Sequence, residues 1–199
     1  MAVLQILLTL AYPAIVYWAL QVMEPRWPAL VGLALLAIRT GLSSRARLAA
    51  YASAFAAPTG AVGAALLVSA LWNVPLGLRL TPALVSFALL LSFAASLAGE
   101  SVVERIARAQ VGDLSPQELR YCRRVTGVWC GFMLANGSIA LWLAVRGTAR
   151  AWAFYTGAIA YLLMGILFAT EYTYRHWRFR RYLGAPTDVL FRWLFPPRT

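Results

Sequence analysis

The chain has 199 residues, of which 61% are hydrophobic, and a formal net charge of +11. A composition so apolar leaves a soluble domain without a polar surface, and long uncharged runs are what a bilayer demands. All 18 basic residues are arginines, and in a chain this hydrophobic the basic excess argues against nucleic acid and for a membrane surface or an acidic partner.

In chain order, six stretches come near the roughly 20 apolar residues that a hydrocarbon core requires: residues 2–22, 27–42, 49–72, 82–98, 126–145 and 151–170. The first begins directly after Met1, with no basic n-region and no small-residue cleavage site before Glu24, so it reads as a retained helix. The second carries Arg39 near its end and spans only if that side chain snorkels to the interface, a re-entrant hairpin being the alternative. In the third, Pro58, Gly60 and Gly63 predict a kink. Gly127, Gly131 and Ala135 in the fifth, and Ala153 and Gly157 in the sixth, are small-xxx-small seams suited to packing these two helices together or to a homo-oligomer.

The arginines check this count. With six spans, 14 of the 18 fall on the N-terminal side and only Arg26, Arg79, Arg146 and Arg150 on the other. Positive charge marks cytoplasmic loops. The expected fold class is therefore all-α: a polytopic transmembrane bundle of about six helices in a bacterial inner (cytoplasmic) membrane, with both termini cytoplasmic. Residues 1–171 form a single transmembrane domain and residues 172–199 a basic, aromatic tail.

The loop 99–125 has the most pattern. Glu100, Glu104 and Arg108 recur every four residues opposite Val102, Val103 and Ile106, a short amphipathic helix stopped at Gly112. Ser115, Pro116 and Glu118 then form an N-cap, a first-turn proline and the acidic partner of a capping box. With no breaker before Val145, the helix opened there runs about 30 residues into the fifth span. Its first turns present Arg120, Tyr121, Arg123 and Arg124. Together with Arg105 and Arg108 these are candidates to hold lipid head groups or to dock an acidic protein.

Asn73 and Asn136 sit in apolar surroundings and need partners across helices. Glu171 is spaced to pair with Arg175. Cys122, Cys130 and His176 make no metal-ligand pattern, and no acid, base and nucleophile set or phosphate loop is present; no catalytic residue, cofactor or metal is expected. In the tail, five aromatic residues alternate with arginines between Tyr172 and Tyr182, as at a membrane interface. Residues 189–195 read as a short interfacial helix.

The run from Glu104 to Arg108, the run from Leu114 to Thr126, and Trp129 and Asn136 beyond them resemble a family of small polytopic membrane proteins encoded in aryl-polyene and xanthomonadin-type pigment gene clusters. The resemblance covers residues 80–175. It implies a non-catalytic inner-membrane accessory or scaffold in pigment or fatty-acid-like lipid biosynthesis, with membrane lipids, an acyl carrier protein or other pathway enzymes as partners. A transporter or flippase subunit for a lipid or polyene intermediate is the alternative, and that reading requires a cavity between the helices. The spacing of spans is also similar to that of the intracellular septation protein A family, which implies an envelope protein. An intramembrane enzyme would have to draw on Glu100, Glu104 or Glu171.

Overall fold

The computed structural model describes residues 14–42, 60–180, 191 and 193–196, with backbone only over 38–42. The segments it describes are helical. Helix α1 covers 14–22, α2 Arg26–Leu42, α3 runs from Gly60 to Trp72, and α4 is Leu76–Ser96. Helix α5 is Val102–Val111, α6 Pro116–Arg146 and α7 Ala149–Phe179. Three of them, α4, α6 and α7, are long and apolar enough to cross a membrane, whereas α2 and the described part of α3 are shorter. The expected Pro58 kink and the Arg39 side chain lie outside the described residues.

The local signals around α5 and α6 act as expected. The Ser101 hydroxyl accepts from the Glu104 amide at the start of α5, and Gly112 ends it at φ 77°, a left-handed conformation that costs glycine little. Ser115 and Glu118 close the capping box at the head of α6, which then continues for 31 residues. Replacing Ser115 with alanine should cost about 1 kcal/mol, visible as a lower unfolding midpoint in detergent and rescued by threonine. The fourth helix begins earlier than the apolar run at residue 82 indicates, because Pro82 lies inside α4 rather than at its start.

Helices α4 and α6 make the central antiparallel pair. Their contact uses Gly137, where an added Cβ would lie 3.1 Å from the Phe87 ring and from the Ser86 Cβ. Ala140 and Ala144, each 1% exposed, continue that line. The expected seam at Gly127, Gly131 and Ala135 is on the exposed side of α6, and a Cβ on either glycine would meet nothing within 4 Å. Two stripes of small residues exist on this helix, and composition does not distinguish them. The neighbouring helix does.

Each of the two helices also supplies an arginine to the other's C-terminus. Arg79 of α4 donates from one terminal nitrogen to the carbonyls of Leu143 and Gly147, both at 2.7 Å. Arg123 of α6 donates to the carbonyls of Leu97 and Gly99. Helix C-termini leave carbonyls without intrahelical donors and carry a partial negative charge, so a guanidinium satisfies both needs. The Trp152 indole, fully buried, donates to the Arg79 carbonyl and ties α7 into the same corner.

At this end Val16, Ala29, Leu66, Leu78, Ala83 and Leu143 form a core with Trp152. Ser69 of α3 accepts from the Leu78 amide, and the Arg26 amide at the head of α2 donates to Asn73 Oδ1. Asn73 is not within a helix: at φ 52° it makes the turn between α3 and α4 and caps α2 from there. At the opposite end, α5 lies against α6, and Tyr121 stacks on Tyr174 at 5.6 Å. Beyond α7, Phe191 returns onto the His176 ring at 4.7 Å. The Arg180 guanidinium donates to the Pro196 carbonyl.

Candidate functional site

A long cleft runs between the helices. It measures about 1840 Å³ and takes walls from all seven of them. Cavities that hold drug-sized molecules are roughly 300 to 1,000 Å³, so this one suits a longer occupant. Ile15, Trp18, Val31 and Leu66 line one half, and Leu89, Trp129, Met164 and Phe168 the other. These walls are apolar, and polar groups enter the lining at two levels.

One level is midway along α4 and α6. Asn136 donates from Nδ2 to Ser86 Oγ at 3.1 Å and accepts from the Tyr155 hydroxyl at 3.0 Å. Ser86 in turn donates to the Pro82 carbonyl. The chain of bonds thus joins three helices, as the apolar setting of Asn136 requires. The backbone is irregular at the same height. Pro82 has no N–H to give one turn before Ser86, and Tyr155–Ile159 of α7 is a π turn in which the Ala160 amide reaches the Tyr155 carbonyl. Such wide turns recur at functional sites because they re-aim side chains within a helix. Here Tyr155 and Thr156 become buried, Tyr155 reaches Asn136, and Thr156 lines the cleft.

The second level is the mouth at the arginine-rich end. Gln110 of α5 and Glu171, Tyr172 and Arg175 of α7 line it. The Glu171 carboxylate accepts from the Tyr121 hydroxyl at 3.3 Å and lies 3.9 Å from Arg175 Nε. Arg175 also lies over the Tyr172 ring, with Cζ 5.6 Å from its centre. The expected Glu171–Arg175 pairing is therefore present at long range and engages Nε, which leaves the two terminal nitrogens of Arg175 able to hold an anion in a forked grip. Val103, Ile106 and Ala107 place α5 along this mouth.

The structure divides the six expected docking residues. Arg108 is bonded to Glu104 at 2.9 Å and paired with Glu100 at 3.2 Å, and the hydrogen bond to Glu104 holds its guanidinium above the ordinary arginine range. Arg123 caps α4 and Tyr121 holds Glu171, so these three are committed within the chain. Arg105, Arg120 and Arg124 are exposed. Substituting Arg120 and Arg124 together with glutamine should weaken binding to anionic vesicles severalfold and leave the unfolding midpoint within about 0.5 kcal/mol of the native value. Arg123→Ala should do the reverse. Glu104 is 8% exposed despite its charge, which fits a role as Arg108's partner. Among the described residues no group of three or more His, Cys, Asp and Glu side chains converges.

Sequence reasoning missed Ser86 and Thr156 at the middle level, Arg79 as the cap on α6 and Arg175 as a cation at the mouth. Each is an ordinary residue in its own segment, and only Asn136, as an amide inside an apolar run, signals the middle level. No family model, no curated protein and no solved structure matches the chain. What it does is read from its own geometry.

Proposed function

We propose that the chain is a multi-pass inner-membrane protein that binds a long-chain amphiphile between its helices, as a carrier or translocating subunit for a lipid or polyene intermediate. The observation that carries this reading is the cleft: a scaffold needs no cavity, whereas this one is about 1840 Å³, mostly apolar along its walls and, among the described residues, charged only at one mouth. An acidic head group fits there, because Arg175 is the cation of the lining and Gln110 adds an amide. The chain of the amphiphile then runs past Trp129 and Phe168.

In this proposal the arginine-rich end faces the cytoplasm, the six apolar segments all cross, and both termini are cytoplasmic. A C-terminal fluorescent-protein fusion should then fluoresce, and a C-terminal alkaline phosphatase fusion should be inactive. The exposed set Arg105, Arg120 and Arg124 favours a second, compatible role, the docking of an acidic carrier protein or pathway enzyme beside the mouth.

The binding test is native mass spectrometry of the detergent-solubilised protein with a long-chain fatty acid and with the alkylamine of equal length. The acid should bind and the amine should not. Arg175→Gln should weaken acid binding about tenfold, the equivalent of about 1.4 kcal/mol, and Arg150→Gln, at the far end of α7, should have no effect. Ala169→Trp, which puts an indole into the mouth from an exposed position, should abolish it. Equal binding by the native protein and Ala169→Trp overturns the proposal.

A further inference from the structure

We infer that the occupant of the cleft carries a second polar group, a hydroxyl, about 22 Å along its chain from the acidic head, received by Asn136 and Thr156. This rests on the reading of the cleft as an amphiphile site and specifies which amphiphile.

The hydrogen-bond valences at the middle level define the complement. A carboxamide has two N–H donors, and Asn136 gives one to Ser86. Its carbonyl oxygen is engaged by the Tyr155 hydroxyl, so the amide plane is held between α4 and α7 and the second N–H has a fixed direction. Thr156 spends its proton on the Trp152 carbonyl, and Thr81 spends its own on the Gly77 carbonyl. Both hydroxyl oxygens are thereby left as acceptors. Asn136, Thr156 and Thr81 all line the cleft. A wall with one donor and two acceptors matches a hydroxyl, which accepts and donates at once. A methyl terminus would strip water from these groups without replacing it.

The spacing places this group on the ligand. Tyr121 binds Glu171 at the mouth, and Asn136 stands 15 residues further along α6; on α7, Thr156 stands 15 residues before Glu171. At 1.5 Å per residue both helices put the middle level about 22 Å from the mouth. The lining between them includes Leu89, Phe93, Val125, Met164 and Phe168, and its hydrogen-bonding groups are the Trp129 indole and the Tyr161 hydroxyl. A chain with an acidic head at Arg175 therefore meets the donor of Asn136 and the acceptor of Thr156 together about 22 Å along its length. The π turn and Pro82 add an independent indication, since two helices leave regular hydrogen bonding at this one height.

The test compares three long-chain acids of equal length by native mass spectrometry: unsubstituted, ω-hydroxylated, and hydroxylated beside the carboxylate. The ω-hydroxy acid should bind about tenfold more tightly than the other two. Thr156→Val, nearly isosteric, and Asn136→Leu should each bring the ratio of ω-hydroxy to unsubstituted acid toward one, and Thr156→Val serves if the leucine variant does not fold. Equal affinity of the native protein for all three acids overturns this inference and leaves the amphiphile site standing. Failure of all three to bind overturns both.

Discussion

Gly77→Val should be the most damaging single substitution in the bundle, lowering stability by about 3 kcal/mol or more. A Cβ at residue 77 would lie 2.0 Å from the Ala65 carbonyl oxygen and 2.9 Å from its carbon, and 2.5 Å from the Ser69 hydroxyl. Two of these are backbone atoms, which cannot swing away as a side-chain tip can. Helices α3 and α4 would have to separate, and the Ser69 to Leu78 hydrogen bond would go with the contact. Overpacking a close-packed site typically costs 1 to 3 kcal/mol, and the lost bond adds about 1 more. The apolar core around Leu66 and Leu78 is built on that approach. Gly131→Ala is the matched control: with nothing within 4 Å of the new methyl group, it should leave the midpoint unchanged or slightly raised, since alanine favours a helix by up to about 1 kcal/mol. Thermal unfolding of the solubilised protein separates the two, and equal midpoints would show that the α3–α4 contact is not as close as described.

Arg79→Ala should cost about 2 to 3 kcal/mol and loosen the corner where α4, α6 and α7 meet. The side chain makes two charge-assisted bonds to the end of α6, each worth more than a neutral one in principle. The full sum is discounted because a partly unfolded chain in a membrane also finds partners for its carbonyls. Arg79→Lys keeps the charge and should recover about half of the loss, because an ammonium lacks the planar fork. Hydrogen exchange gives the sharper readout. The last turn of α6, from Leu143 to Gly147, should lose protection in the alanine variant while the capping box at its other end keeps it. Loss of protection along all of α6 would contradict a local cap.

Short-range features were legible from residue order. The Ser115–Glu118 box, the stop at Gly112 and the uninterrupted helix to Arg146 depend on groups three or four residues apart, and the structure has each of them. Asn136 was recognisable because an amide in an apolar run must find a partner, but Ser86 and Tyr155 are 50 and 19 residues away, and nothing in their own segments marks them. Asn73 follows the same rule: it stands just after the expected end of the third span at residue 72, and from the turn there it accepts from the Arg26 amide, 47 residues away.

By itself, then, the order of residues determined the helical class, the presence of helices long and apolar enough to cross a membrane, and the starts and stops of α5 and α6. All of these follow from composition and from contacts within one helical turn. The tertiary structure decided which small-residue face of α6 meets α4 and which arginines are spent on carbonyls. It also decided that polar groups from three helices converge midway along a cleft. Those outcomes depend on the rotation of each helix about its axis, which is set by the shape of its neighbours, and hydropathy is the same on every side of a helix that is apolar all round.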